Sequence, residues 1–266
     1  MAGAIMVAAI LAVAIMASWL APHDPLTIDL NRRMEGPSAT YPLGTDNLGR
    51  CLLSRLFYGA RTSLGAGYAV SLVIMAFGLG IGLFSGLAGG KVDAVTMRLI
   101  DICLSFPSLI LSLALVGILG PSLRNAMIAV TTVWWAGYAR LFRGMVLTAK
   151  EKEFVVAARV VGARGIKLMR YHILPQIMPV LLVMLPLEVG KIILVLSGLS
   201  FLGFGAQAPI PEWGAMLNEA RPFFQTYPRL MLVPGGAIFV AVLGLNMLGE
   251  GFRDILQVKK PVSWVS

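Results

Sequence analysis

Residues 64–87 read LGAGYAVSLVIMAFGLGIGLFSGL, and the reading of this stretch decides the fold. No charged side chain interrupts it, and it is longer than the roughly 20 residues a helix needs to cross about 30 Å of hydrocarbon. Its glycines and alanines are common in membrane helices, where small residues let neighbouring backbones approach. Working outward, further apolar segments lie at about Ala4 to Leu20, Val95 to Leu119, Asn125 to Leu147, Ile177 to Leu199 and Leu230 to Leu248. Composition agrees: 58% of residues are hydrophobic and 13% charged, where soluble domains carry about a quarter charged residues. The mean hydropathy is +0.82. These features predict an all-α integral membrane protein with six transmembrane helices, folded as one domain over residues 1–266.

The formal charge of +9 does not indicate nucleic acid as a partner. The basic residues stand at the ends of apolar segments and form no aromatic-interleaved patch, so the excess is read as topology and contact with the lipid bilayer. With the N-terminus inside, the cytoplasmic connections hold thirteen lysines and arginines, Lys259 and Lys260 among them, against eight outside. Both termini are therefore expected in the cytoplasm, with residues 148–175 inside and residues 21–63 and 200–229 outside. The first apolar run lacks a basic leader and is longer than a signal-peptide core, so it reads as a retained helix. Within 21–63, Leu48, Leu52, Leu56 and Phe57 recur at helical spacing while Arg50, Ser54 and Arg61 face elsewhere. That pattern predicts an amphipathic helix along the membrane surface, with Asp46 as its N-cap. Pro107, Pro186 and Pro234 fall in or near spans, where neighbouring helices re-satisfy the freed backbone groups.

Groups for catalysis are scarce. The histidines are His23 and His172, and no HExxH or Cys/His cluster occurs. Cys51 and Cys103 sit in different contexts and do not suggest a disulfide framework. SGLAGGKV (85–92) departs from a phosphate-binding loop at both ends, with Ser85 for the first Gly and Val92 for the Ser or Thr after Lys91. No catalytic residue, bound cofactor or metal site is assigned. Two ionisable residues do fall inside a span: Glu188 and Lys191, in PLEVGKIILVL. At i,i+3 they meet on one helix face, either as a structural pair facing the bundle or as part of a pathway.

Residues 153–175, EFVVAARVVGARGIKLMRYHILP, form a basic island between two apolar stretches. The spacing predicts a short helix over Glu153 to Val161 with a stripe of Phe154, Ala157, Ala158 and Val161. A turn at Gly162 and Gly165 follows, then a second stripe of Ile166, Met169 and Ile173 before Pro175. Such a hairpin offers more apolar surface than a solvated loop needs. It suits either anionic lipid or a protein partner.

The island resembles the cytoplasmic EAA loop of ABC importer permeases, in which E-A-A is followed after three residues by Gly and later by I-L-P. Ala157, Ala158, Gly162, Ile173, Leu174 and Pro175 match; the motif's own Glu is replaced by Val156, while the acid at Glu153 is present. Three further stretches resemble the dipeptide, oligopeptide and nickel permease family in the same order. They are PLGTDNLGR with LSRLFYGARTSL (42–50 and 53–64), GGKVDAVTMRLIDICLSFPSL (89–109), and LSFLGFGAQAPIPEWGAMLNEAR (199–221). Cys51 departs there from the Asp usual after GR.

This resemblance implies a type I ABC importer permease fold and a subunit without catalysis of its own. A second homologous permease subunit would complete the pathway. Two ATPase subunits, carrying ATP and Mg, would bind on the cytoplasmic side, and an extracytoplasmic solute-binding protein would deliver the solute in the bacterial inner membrane. The ATPase-coupling residues would be Glu153, Phe154, Ala157, Ala158, Arg159, Gly162, Ala163, Ile173, Leu174 and Pro175. Gly162 is expected to matter because the turn brings backbone close to a neighbour, and Gly162→Asp is expected to abolish transport without harming insertion. SGLAGGKVDAVTMR, WWAGYAR and the run to PEWGAMLNEAR resemble the nickel-import branch more than the di- and oligopeptide branch. An integral membrane enzyme or a lipid-contacting scaffold is the alternative from another class.

Overall fold

In the computed structural model, residues 1–257 are described; Lys259 and Lys260, counted above on the cytoplasmic side, lie outside them. Among the described residues the regular structure is helical, apart from one antiparallel bridge between Thr45 and Cys51. The helices are α1 (Ala2–Ile15), α2 (Ala17–Leu20), α3 (Leu52–Ala88), α4 (Gly90–Leu104), α5 (Ser108–Leu119), α6 (Leu123–Lys150), α7 (Glu153–Val160), α8 (Gly165–Leu168), α9 (Leu174–Phe201), α10 (Trp213–Ala220) and α11 (Arg229–Gln257). Among the described residues, three continuous stretches are long and apolar enough to cross a membrane: α3, the run from Gly165 through α9, and α11. The α4–α5 pair makes a fourth if a bent pair is taken as one span.

Two sequence expectations are corrected by this layout. The segment from Val95 to Leu119 is not one straight helix, because α4 and α5 are bent by 78° at the break between them. Pro107 at the N-cap of α5 explains the break: it has no N–H for the ladder and disfavours helix at Phe106 before it. The surface helix expected from residue 48 onward is also not separate. Cys51 is the N-cap of α3, which then runs 37 residues without interruption.

Asp46 is accordingly not a helix cap. Its Oδ1 accepts the backbone N–H groups of Leu48 and Arg50, both at 2.9 Å, while its Oδ2 takes Arg50 Nε at 2.7 Å and Arg55 Nη1 at 2.5 Å. Glu219 of α10 completes the network, accepting from Arg50 Nη2 at 2.5 Å and Arg55 Nη1 at 2.7 Å. Arg50 and Arg55 are buried, which is tolerable only because each guanidinium meets two carboxylates.

The bundle closes around α3. Gly78, Gly82 and Gly86 form one stripe against α6, where an added Cβ would come within 2.5 Å of Tyr138 Cβ, 2.7 Å of the Ala139 carbonyl and 2.8 Å of Val146 Cγ1. Four-residue spacing of small residues lets two membrane helices touch backbone to backbone. One apolar core joins α1, α3, α9, α10 and α11 around Leu64, Ile193, Trp213 and Leu245. A second joins α3, α5, α6 and α9 around Ile74, Val130 and Ile192, and a third lies where α3, α6, α7 and α9 meet.

Pro186 and Pro234 sit inside α9 and α11, as does Pro179 in α9. Glu212 is fully buried and caps α10: its carboxylate accepts the N–H groups of Gly214 at 3.0 Å and Ala215 at 2.8 Å, and the hydroxyl of Ser63 at 3.0 Å.

Candidate functional site: the α7 hairpin and the charged pair of α9

The hairpin after α6 is built on one buried anchor. Val155 is inaccessible and packs with Phe142 and Val146 of α6, with Leu168 of α8, and with Ile173 and Ile177 at the start of the long run into α9. Ala158 and Ala163 pack against the same cluster, as does Leu174. Glu153, Phe154, Ala157, Gly162 and Pro175 are exposed, and Arg159 is half-buried. The ten residues named from the sequence therefore divide into an inward set that fixes the hairpin and an outward set that presents it.

The expected first stripe lies outward, as surface open to a partner or lipid, apart from Ala158, which packs on the core. Phe154 and Ala157 point outward and Val161 is 89% exposed, while the residue that faces the core is Val155, which lay outside the stripe. Spacing alone shows that apolar residues share a face; it does not say which of two apolar faces meets the bundle. With Val156 and Val160 also exposed, α7 presents an apolar surface flanked by Lys152 and Arg164. Arg159 Nη2 is buried without a hydrogen-bond partner among the described residues.

Gly162 ends α7 in a Schellman turn. Its N–H donates to the Arg159 carbonyl at 3.0 Å, the Ala163 N–H donates to the Ala158 carbonyl at 2.9 Å, and Gly162 has φ of +99°. A Cβ placed there would meet nothing within 4 Å. The reason given above for this glycine is thus corrected: backbone conformation requires it, not a close neighbour.

The second stripe does not form a separate helix. Ile166 is 76% exposed, Ile173 is fully buried, and residues 169–173 form a π turn that leads straight into α9. In that turn the Leu174 N–H reaches back to the Met169 carbonyl; Pro175 and Pro179, lacking N–H groups, cannot tighten the ladder that follows. α7 is thus tied through Val155 both to α6 and to the start of the helical run into α9.

Farther along α9, Glu188 is buried and Lys191 is not, its side chain being 53% exposed. Their nearest approach is 3.9 Å, between Lys191 Nζ and Glu188 Oε2. The same carboxylate oxygen accepts the hydroxyl of Tyr138 from α6, and Lys191 Nζ lies 4.5 Å from the centroid of the Trp134 ring. Sequence spacing found the pair but not its α6 partners, since nothing in the sequence couples Trp134 and Tyr138 to a residue some fifty positions later. Among the described residues no group of three or more His, Cys, Asp or Glu side chains is placed to hold a metal ion.

The sequence pattern of the family described as "Binding-protein-dependent transport system inner membrane component" matches residues 78–260, a range that holds both the hairpin and the charged pair. The chain belongs to this family. It is an ABC transporter permease and a multi-pass membrane protein. The permease is 42% identical over 252 residues to the nickel transport system permease protein NikC of Escherichia coli (strain K12), covering 95% of this chain and 91% of that one. It is 41% identical over 257 residues to a dipeptide transport system permease protein DppC of Alkalihalophilus pseudofirmus, covering 97% and 84%. A glutathione transport system permease protein GsiD of Pectobacterium atrosepticum is 40% identical over 259 residues, covering 97% and 86%.

Proposed function

We propose that this chain is one of two permease subunits of a bacterial inner-membrane importer, and that α7 is the coupling helix through which separate ATPases drive it. In this reading the chain crosses the membrane six times, by α1 with α2, α3, α4 with α5, α6, α9 and α11, and both termini are cytoplasmic. A solute-binding protein delivers cargo outside, a second permease completes the pathway, and ATP and Mg are handled by the partners alone. The observation that carries the reading is the combination in α7 of an exposed apolar face, from Phe154 to Val161, with a rigid mount on Val155 and Gly162. A face of that kind fits a cleft in a partner. Closure of the ATPase pair on ATP would move it as a unit, and the core shared by α6, α7 and α9 would pass the displacement to the bundle.

Nickel, as the ion or a chelate, is the cargo proposed first, supported by the likeness to the nickel permease. Likeness to the dipeptide and glutathione permeases supports peptides as the second reading. The test is co-purification. Phe154→Asp, at an exposed site where folding is spared, is expected to lose the ATPases during purification and with them ATP-dependent uptake. If Phe154→Asp keeps the ATPases at the wild-type ratio, α7 is not the docking helix.

A further inference from the structure

Lys191 stands near the middle of α9 on an outward stripe shared with Leu194, Gly198 and Leu202. Charged residues at that depth avoid lipid and face a water-filled cavity or a partner. None of its three N–H donors makes a hydrogen bond among the described residues; the contact with Glu188 at 3.9 Å is electrostatic only. Glu188 is held from behind by the Tyr138 hydroxyl, and its other oxygen is buried without a partner. The exposed tip of this constellation is therefore cationic.

The stripe does not end there. Toward the hairpin it continues through Val180 to Gln176, where α6 and α9 part to leave an open groove of about 420 Å³. On α6 the matching line runs from Trp134 and Tyr138 through Leu141 and Met145 to Thr148, at helical spacing. Thr148 and Gln176 put polar groups in this groove, and Gln176 Oε1 is a second buried oxygen without a partner. A seam with stranded oxygens and an outward ammonium suits water better than lipid.

We propose that the α6–α9 seam lines the translocation pathway, and that Lys191 there contacts a carboxylate of the passing solute. This rests on the importer reading above and narrows its cargo. A carboxylate-bearing species, a metal carboxylate chelate or a peptide with a free C-terminus, is favoured over a bare divalent cation, which Lys191 repels.

Two measurements on the complete transporter, with both permeases, ATPases and binding protein, test this. In the first, Cys51 and Cys103 are replaced by Ser and Leu194→Cys is introduced beside Lys191. Water-soluble thiosulfonates, one anionic and one cationic, are expected to label Cys at 194, with the anionic reagent favoured relative to its reaction with free cysteine, and Lys191→Met is expected to remove the preference. In the second, ATP-dependent uptake into proteoliposomes is compared for nickel chloride, nickel citrate, alanyl-alanine and alanyl-alanine amide. Whichever carboxylate-bearing probe is carried is expected to slow about tenfold in Lys191→Met and to recover largely in Lys191→Arg. The probe carried also separates the two sources, chelate and peptide.

Absence of labelling at 194, or uptake by Lys191→Met at the wild-type rate, overturns the proposal; so does a wild-type preference for nickel chloride or the amide. A chain that assembles with no ATPase overturns the importer reading instead, and the labelling experiment is read independently of it.

Discussion

Gly162 shows how one residue was legible while its reason was not. A glycine after an apolar run marks a helix stop, and the turn falls where the sequence put it. Open space around the missing Cβ, together with φ of +99°, moves the requirement from neighbours to backbone. This changes the expected mutant series. A close-approach glycine would rank substitutions by size, whereas a conformational one penalises Ala most, by about 1 kcal/mol, Asp less, and spares Asn most because its short polar side chain tolerates left-handed backbone. Gly162→Ala and Gly162→Asp should both lower solute-stimulated ATP hydrolysis with normal insertion, and Gly162→Asn should retain most of it. Wild-type behaviour of Gly162→Ala beside a silent Gly162→Asp would return the explanation to size or charge. Val155 was missed for a related reason: two apolar faces on one short helix look alike in sequence, and only the packing of Phe142 and Ile173 selects the inner one.

At the level of elements, the apolar runs were readable because hydrophobic length is a one-dimensional property. The α4–α5 bend was not, since Pro107 signals a break but not its angle, and the angle is fixed by ties to α6. Asp93 of α4 accepts Arg143 Nε at 2.6 Å and Arg143 Nη2 at 2.5 Å, and also the Ser85 hydroxyl at 2.5 Å. Asp101, two turns on, accepts from Arg140. Arg140 and Arg143 on α6 thus hold α4 across its length. The Asp93–Arg143 pair is bidentate and partly shielded, with side-chain exposures of 15% and 26%, so it should contribute more than an open surface pair. Reversing it separates pairing from mere presence of charge. Asp93→Arg and Arg143→Asp should each lower thermal stability in detergent and speed proteolysis at Gly89–Gly90. The double reversal should recover part of both losses, with a coupling of about 1–3 kcal/mol. Strict additivity would show that α4 is held by its apolar contacts, such as Ile100 against Ala136 and Ala139.

For the whole molecule, the long segment before α3 is fastened to the far end of the chain by charge rather than by a core of its own. Asp46, Arg50, Arg55 and Glu219 bring two acids and two bases together across about 170 residues of sequence. Arg229 adds a second tie, donating to the Met34 carbonyl at 2.8 Å. None of this was visible beforehand, because Arg50 reads as a solvated residue until a carboxylate from α10 is placed beside it. The balance of charge sets the consequence of breaking it. Glu219→Ala leaves two guanidinium groups against the single carboxylate of Asp46, and an uncompensated buried charge costs about 3–5 kcal/mol. Removing one charge of each sign, with Arg50→Leu and Glu219→Leu together, keeps the 2.5 Å pair of Arg55 and Asp46 and should cost less than Glu219→Ala alone. Thermal unfolding of the purified permease gives the ranking, and proteolysis within residues 24–44 reports whether the segment has come away while the helices persist. Should the double substitution prove more damaging than the single one, packing of the Arg50 stem and not charge balance is what fastens the segment.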